Sequence, residues 1–225
     1  MKMRTFGLAC VLASAASVAS AATVVNGDFE TDFADQGILG DYFSDLAGST
    51  KGGSWDVWES IPGWTTSEGP GIEIQSNNTL NTIDAHSGNH YVELNSHGGG
   101  SAGSNSSMFQ TLALDKGTYL LSFWYSPRNG NVGGNSIDYG IAGATGTVSG
   151  PDGTTAVGSW TEVTLQFMVD SADDYTLFFS ATGEDNKNLG GLIDTISVSQ
   201  VPVPASAALL LAGLGGLGLM RRRKS

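Results

Sequence analysis

Apolar residues occupy every second position in three segments of the chain, 119–125, 163–169 and 175–179. Because successive side chains of a β-strand point to opposite faces, this alternation predicts strands that are buried on one face only. Clusters of glycine, serine and asparagine at 96–107 and 126–136 are typical of surface turns, where these residues readily adopt positive φ angles. The pattern predicts an all-β sandwich with no helix in the body of the chain.

The last apolar segment, 191–200, follows the same alternation and contains a carboxylate. A regular strand would group its side chains on two faces, the first made by Leu192, Asp194, Ile196 and Val198, the second by Ile193, Thr195 and Ser197. Asp194 would then lie on the more apolar face. A buried carboxylate without a partner is costly, so we expect Asp194 to meet a cation or hydrogen-bond donors.

The amino terminus has the features of a secretory signal peptide. Lys2 and Arg4 precede an apolar stretch, and the small residues at 19–21 are those that a signal peptidase requires at its cleavage site. We therefore predict a signal helix within residues 1–21 and a mature chain that begins near Ala22. The single cysteine, Cys10, lies inside this signal, so the exported part has no disulfide bond and depends on its core for stability.

The carboxyl terminus has three parts: a proline-containing motif, an uncharged apolar run at 205–220 and a basic end. The run is shorter than the roughly 20 residues that span a bilayer comfortably, and its glycines weaken a helix. The basic end should remain on the cytoplasmic side of a membrane. Residues 201–225 therefore form a candidate sorting segment that contacts the membrane at least transiently.

This tail resembles the bacterial PEP-CTERM sorting signals in their Val-Pro-x-Pro-Ala variant. The residues that carry the resemblance are Val201, Pro202, Val203, Pro204, Ala205, Arg221, Arg222 and Arg223. The resemblance implies that an exosortase-type membrane protease removes the apolar helix and delivers the protein to the cell envelope or the extracellular matrix. Val203 stands where the commonest form of the motif has glutamate, and a retained membrane anchor is the alternative.

The exported part, residues 22–200, is strongly acidic and has the length of one domain. It holds all 22 acidic residues and four basic ones, Lys51, Lys116, Arg128 and Lys187, so four minus 22 gives a formal charge of −18. Such a charge repels nucleic acids and attracts cations, which excludes a nucleic-acid function.

Seven short motifs in this domain occur in the order found in galactose-binding-like jelly rolls, which include many carbohydrate-binding modules. They lie at 24–30, 61–64, 85–94, 109–112, 117–119, 158–160 and 193–198. The resemblance covers about residues 23–199 and implies a jelly-roll β-sandwich. It also implies that the domain binds a polysaccharide.

The same resemblance implies a structural calcium ion where the first and last strands meet. Carried over by position, its ligands would be Asp28, Glu30 and Asp194, completed by backbone carbonyl oxygens of the kind that calcium prefers. The alternative is that Asp28 caps a turn and that Asp194 accepts hydrogen bonds from backbone N–H groups.

Sugar binding requires an aromatic ring for the apolar side of a pyranose and polar groups for its hydroxyls. We predict Trp55, Trp58 and Tyr42 as contacts, because they lie in or beside a long irregular segment where a packing role is less expected. Trp64 and Trp160 occupy positions that are structural in the resembled modules.

The exported part has no cysteine nucleophile and no phosphate-binding Gly-x-x-x-x-Gly-Lys motif. His86 and His90 have the spacing of a zinc-protease pair, but Ser87 replaces the required glutamate and Gly88 indicates a turn. We therefore predict a non-enzymatic exported protein whose jelly roll binds glycan or exopolysaccharide. The alternative is a structural envelope or matrix protein whose sandwich is only a scaffold for contacts with other proteins.

Overall fold

The structure is a computed structural model that describes residues 21–22, 24–31, 55–80, 83–97, 103–130, 132–152, 156–184 and 189–202. Ser20–Val201 form one compact unit, and of the second unit, Met1–Ala19 with Pro202–Ser225, only Pro202 is described. The predicted signal helix and sorting helix therefore lie outside the described residues. Within the described ranges, no helix is long and apolar enough to cross a membrane.

The described chain consists of short and medium strands joined by turns. The strands are β1 Ala21–Ala22, β2 Trp55–Trp58, β3 Ser60–Ile61, β4 Trp64–Glu68, β5 Ile72–Ser76, β6 His90–Glu93, β7 Ser107–Leu114, β8 Gly117–Pro127, β9 Ile137–Ile141, β10 Ala144–Val148, β11 Thr161–Val169, β12 Asp173–Ala181 and β13 Gly191–Gln200. A single turn of 3₁₀ helix at Val132–Asn135 precedes β9.

The strands form two antiparallel sheets. The seven-stranded sheet has the order β11-β8-β13-β6-β5-β2, with β1 paired to β13, and the six-stranded sheet has the order β10-β9-β12-β7-β4-β3. Strands distant in sequence are neighbours in both sheets, as in a jelly roll. The prediction of an all-β jelly-roll sandwich is confirmed.

The core lies between the inner faces of the two sheets, and the alternating segments supply it as predicted. Leu121 and Phe123 of β8 face Leu177 and Phe179 of β12, and all four side chains are fully buried. The ring of Phe123 meets that of Phe179 edge-on, with centroids 5.0 Å apart. Burial of side chains of this size stabilises the fold by about 1.5 to 3 kcal/mol each.

The opening segment 24–31 closes one end of the core without joining a sheet. Phe29 is fully buried, and the indole Nε1 of Trp64 donates to the carbonyl oxygen of Asn26 at 3.1 Å. Gly27 packs against β13, where an added Cβ would lie 2.1 Å from the carbonyl oxygen of Ile196. Only glycine fits this approach, so the motif at 24–30 fixes the start of the domain against its last strand.

The predicted faces of β13 are wrong beyond Asp194, because the strand contains a β-bulge. The register shifts between Asp194 and Ser197, and Thr195 adopts a φ of 51°. The extra residue reverses the alternation, so Ile193 and Ile196 both join the main core while Leu192 packs in a separate small cluster. Asp194 therefore lies on the side of the sheet that is turned away from the main core.

Candidate functional site

The seven-stranded sheet has one side turned away from the main core, and we call this side the outer face. It carries many of the polar and aromatic side chains of the sheet. In one row across five strands, successive partners in register are Val57, Glu73, Glu93, Leu192 and Ser126. An adjacent row places Trp55 beside Gln75, and Gln75 beside Tyr91. The alternation of the strands thus places one set of polar side chains on the face opposite the core.

A polar cluster lies on this face, and it consists of Glu73, Gln75, Glu93, His97 and Arg128. The amide Nε2 of Gln75 donates to Glu73 Oε1 at 2.7 Å and to Glu93 Oε2 at 2.6 Å. The guanidinium of Arg128 also donates to Glu93 Oε2, and the other oxygen of Glu93 accepts from the backbone N–H of Gly190 at 2.6 Å. Both carboxylates are fully buried, so these donors replace the water that they have lost.

The polar cluster supports an exposed tryptophan. Glu73 Oε2 accepts hydrogen bonds from both the backbone N–H and the Nδ1 of His97, at 2.8 and 2.7 Å. The imidazole of His97 in turn stacks on the indole of Trp55, with centroids 4.2 Å apart and an interplanar angle of 27°. Trp55 remains 44% exposed. The indole of Trp55 therefore has one face stacked on His97, which is itself hydrogen-bonded to Glu73, and the rest of the ring is open to solvent.

Burial dominates the electrostatics of Glu93. Burial raises the pKa of Glu93 to about 8, and the neighbouring charge of Glu73 acts in the same direction, although Arg128 opposes both. A proton on Glu93 would leave a single carboxylate charge beside the guanidinium of Arg128. An uncompensated buried charge, which is strongly destabilising, would then be avoided.

The two carboxylates do not have the accessibility that catalysis requires. A general acid or base must come within hydrogen-bond reach of the reacting group. Glu73 and Glu93 are completely enclosed, and each of their oxygens accepts a hydrogen bond from the protein itself. Their arrangement serves to hold neighbouring side chains rather than to exchange protons with a substrate.

The structure separates Trp55 from Trp58, the two described residues among the three that the sequence predicted as sugar contacts. Trp55 lies on the outer face, whereas Trp58, three residues further along the same strand, lies opposite Ile72 and packs partly buried against the main core. Tyr42 lies outside the described residues. Trp55 is thus the predicted aromatic residue that has an open ring on the outer face.

Two of the three predicted calcium ligands converge on one turn. Glu30 Oε1 accepts from the backbone N–H groups of Asn89 and His90 at 2.6 and 2.7 Å, and Asp194 Oδ2 accepts from the N–H of Ser87 at 2.9 Å. Asp28 is exposed, and its carboxylate is 3.4 Å from the N–H of Glu30. In the described part of the chain, no group of three or more His, Cys, Asp or Glu side chains is arranged to hold a metal ion. Calcium binding stays a prediction.

Burial dominates the electrostatics of Asp194. It raises the pKa of this carboxyl to about 7, although hydrogen bonds from the backbone of Ser87, Thr195 and His86 lower it, and the charge of Glu30 adds to the increase. For Glu30, burial also acts to raise the pKa, but the hydrogen bonds from His90 and Asn89 outweigh it and the pKa is lowered.

The two histidines with protease-like spacing have different partners. His86 Nδ1 lies 2.8 Å from the hydroxyl oxygen of Thr195, and His90 Nδ1 lies 2.9 Å from Glu30 Oε2. Neither histidine is directed at a shared position with the other. This arrangement agrees with the interpretation of their spacing as coincidental.

Sequence reasoning missed the polar cluster. The strand 72–76 has polar residues at alternate positions between apolar ones, and every residue of this strand and of 90–93 is buried. Such alternation is typical of strands with one solvated face, so it gave no sign of burial on both sides. The available signal was Arg128, one of only four basic residues in a domain with 22 acidic ones.

Comparisons with known proteins agree with the fold and with the tail. Residues 200–224 match the model of the PEP-CTERM protein-sorting motif, and this confirms the predicted sorting segment. Of that segment, the structure describes Val201 and Pro202, which follow directly after β13. A search of curated proteins found no match.

Among solved structures, the chain is similar to a cyclase from Fischerella sp. in its apo form, with 15% identity and a TM-score of 0.52, over 82% of this chain and 98% of the cyclase. It is also similar to the carbohydrate-binding module TmCBM61 in complex with β-1,4-galactotriose, with 17% identity, a TM-score of 0.41 and coverage of 71% and 94%. For a family 35 carbohydrate-binding module from Cellvibrio japonicus Abf62, the identity is 19% and the TM-score is 0.39, over 66% of this chain and 92% of the module. At these identities the likeness concerns the fold alone.

Proposed function

We propose that this protein is an exported glycan-binding protein that contacts its ligand on the outer face around Trp55. The observation that carries the proposal is the open indole of Trp55, supported from below by His97 and the polar cluster. Export is supported by the match of the tail to a protein-sorting motif. The function follows from a site that is aromatic, anchored and solvent-accessible, on a protein sent out of the cell.

The chemistry around Trp55 suits a sugar ring. An indole face packs against the apolar C–H side of a pyranose, and polar groups at the rim pair with its hydroxyls. The side chain of His97, which stacks on Trp55, is 33% exposed, so part of it is in contact with solvent beside the indole. The ligand that fits best is a sugar ring stacked on the face of Trp55 that His97 leaves open.

The hydrogen-bonded chain beneath Trp55 favours affinity by reducing the entropy lost on binding. Trp55 rests on His97, His97 is held by Glu73, and Gln75 joins Glu73 to Glu93. A side chain that is already fixed in its binding orientation loses little freedom when the ligand arrives. This preorganisation distinguishes Trp55 from an indole that is merely exposed.

Replacing Trp55 by alanine tests the proposal. In affinity electrophoresis against a panel of polysaccharides that includes the producer's own, we expect the wild-type protein to be retained by at least one glycan. We expect Trp55→Ala to weaken that retention at least about tenfold, which corresponds to about 1.4 kcal/mol. Met168→Ala, which removes a 66% exposed side chain near the far end of the edge strand β11, is the matched control and should bind normally.

The alternative function, a scaffold that contacts other proteins, makes the opposite prediction. Such a protein would be retained by no glycan in the panel, and Trp55→Ala would change nothing. Loss of retention by Trp58→Ala but not by Trp55→Ala would also contradict the proposal, because Trp58 packs towards the core.

The proposed route to the surface is processing of the tail by an exosortase-type membrane protease. This partner follows from the sorting motif at 200–224. The mass of the protein recovered from the cell envelope or medium tests the proposal: processed protein ends near Ala205, and a mass that includes Ser225 would indicate a retained anchor instead.

Structural calcium is a further proposal, supported by the convergence of Glu30 and Asp194 on the turn at 86–90. A bound cation would reduce the repulsion between these carboxylates, and its binding to the folded state would raise the melting temperature. We expect calcium added to chelator-treated protein to raise that temperature, and Asp194→Asn to remove the effect. An unchanged melting temperature in the wild-type protein would contradict calcium binding.

A further inference from the structure

The outer face carries a second aromatic group at its other end, and it consists of His86, Trp124 and Trp160. The imidazole of His86 lies flat on the indole of Trp124, with centroids 3.8 Å apart and an angle of 13°. Trp160 meets His86 edge-on, with centroids 6.3 Å apart and an angle of 68°. All three rings are half-buried, so each keeps part of its surface in contact with solvent. We call this group the aromatic cluster.

Hydrogen bonds fix the aromatic cluster in position. The hydroxyl of Thr195 lies 2.8 Å from His86 Nδ1, and the Nε1 of Trp160 donates to the carbonyl oxygen of Asp84 at 2.8 Å. Thr195 has a φ of 51°, a conformation that is rare for a β-branched residue and costs about 1 to 3 kcal/mol. Strain of this kind concentrates at functional sites, and here it accompanies the placement of the hydroxyl within hydrogen-bond distance of His86 Nδ1.

The aromatic cluster is bordered by carboxylates. Glu162 lies directly opposite Trp124 in register on the edge strand β11, is exposed, and accepts a hydrogen bond from the hydroxyl of Ser122 at 2.6 Å. Burial lowers the pKa of His86, although the charge of Glu162 opposes the change, so the imidazole is neutral at neutral pH. The surface therefore combines aromatic rings with negative charge.

The described lysine and arginine side chains lie elsewhere. They are Lys116, in the turn between β7 and β8, and Arg128, which pairs with Glu93 in the polar cluster. Neither is a partner of Glu162, whose hydrogen bond is to Ser122. A ligand at the aromatic cluster thus meets a carboxylate and π-systems, which together attract a cation and repel an anion.

The aromatic cluster and Trp55 lie on one face at a separation that an oligosaccharide can bridge. Trp55 lies two residues before Val57 in β2, and Trp124 lies two residues before Ser126 in β8. Because Val57 and Ser126 belong to one row, Trp55 and Trp124 share the adjacent row. Four strand spacings separate β2 from β8, and this corresponds to about 19 Å. The residues between them in this row, Gln75, Tyr91 and Asp194, are buried, so a glycan chain that contacts both sites must pass over the segments that cover them.

We propose that the aromatic cluster is a second glycan subsite, and that it recognises a sugar bearing a free amine. This inference rests on the proposed glycan-binding function and adds the class of glycan. The ammonium group pairs with Glu162 and gains cation–π attraction from the aromatic cluster. A neutral sugar makes only stacking contacts there, and a uronic acid is repelled.

The test compares three oligosaccharides of equal length on the full-length chain by calorimetric titration. They are a glucosamine oligosaccharide, its N-acetylated counterpart and a uronic acid oligosaccharide, at a pH where the amines carry a proton and the imidazole of His86 does not. We expect the glucosamine oligosaccharide to bind most tightly and the uronic acid oligosaccharide not to bind. Equal affinity for the amine and its acetylated counterpart would overturn the inference.

Two substitutions test whether the preference for an amine arises at the aromatic cluster. Glu162→Gln should weaken binding of the glucosamine oligosaccharide about threefold to fivefold, in line with an exposed ion pair, and should leave the N-acetylated counterpart unaffected. Asp173→Asn, which removes one exposed negative charge from the other sheet, is the matched control for net charge and should change neither. An equal effect of Glu162→Gln and Asp173→Asn would also overturn the inference.

Failure of this inference is distinguishable from failure of the proposed function. If Trp55→Ala abolishes binding of a neutral glycan while amines confer no advantage, the glycan-binding function stands and the amine subsite does not. If Trp55→Ala has no effect on any glycan, the proposed function itself fails.

Discussion

Replacing Arg128 by alanine is expected to destabilise the protein by about 3 to 5 kcal/mol at a pH above 8, where Glu93 is ionised. The substitution leaves the buried carboxylates of Glu73 and Glu93 without their cation and removes the guanidinium donor of Glu93. Below that pH the cost should be smaller, because Glu93 can keep its proton. Urea denaturation of the wild type and the variant on both sides of that pH measures the difference.

Two further variants show whether the cost arises from the polar cluster. Lys116→Ala removes an exposed cation and should change the free energy of unfolding by less than about 0.5 kcal/mol. Adding Glu93→Gln to Arg128→Ala should recover much of the loss at high pH, since it removes the carboxylate that the arginine balanced. A loss that is the same at every pH and is not recovered by Glu93→Gln would contradict this account of the cluster.

The wild-type protein is expected to lose stability as the pH rises from 4.5 to about 8. Because the pKa of Glu93 is raised in the folded state, the folded protein holds this proton more tightly than the unfolded chain does. The stabilisation that this proton provides is complete below the ordinary pKa of 4.5. It is lost as the pH rises through the pKa of the folded state, about 8. A shift of this size corresponds to on the order of 5 kcal/mol, and Asp194, raised from 3.8 to about 7, acts in the same direction.

The pH dependence can be assigned with single substitutions. Glu93→Gln should flatten the plot of unfolding free energy against pH between 4.5 and about 8, and Asp194→Asn should flatten its lower part, between 3.8 and about 7. An exposed acid gives the control, since Asp173→Asn should leave the slope unchanged. A wild-type protein whose stability rises across this range would show that Glu93 is ionised in the folded state.

The fold could be predicted from the sequence because its signals are local. Alternating apolar positions at 119–125, 163–169 and 175–179 determine which side of each strand is buried, and the structure has them as expected. The faces of β13 could not be predicted in the same way. Thr195 begins a bulge that depends on packing against Gly27 and on the neighbouring strand, and no residue pattern within β13 indicates it.

The candidate site was predictable only in its exposed part. Trp55 was expected from the sequence as a contact residue. Trp58 lies on the opposite face because it is three residues further along β2, a strand in a segment that the sequence predicted to be irregular. The polar cluster joins residues from three separate parts of the chain, 73–75, 93–97 and 128. Pairings of this kind are set by the strand order, which a single sequence does not reveal.

The most direct test of the central claim is a titration of the isotope-labelled protein with the polysaccharide that retains it, followed through the indole N–H signals of its five tryptophans. These signals report on each tryptophan separately, and Trp64, buried in the core, is an internal control. The account predicts that the Trp55 signal shifts in a saturable manner while the Trp64 signal does not move. A saturated complex in which the Trp55 signal is unchanged would contradict it.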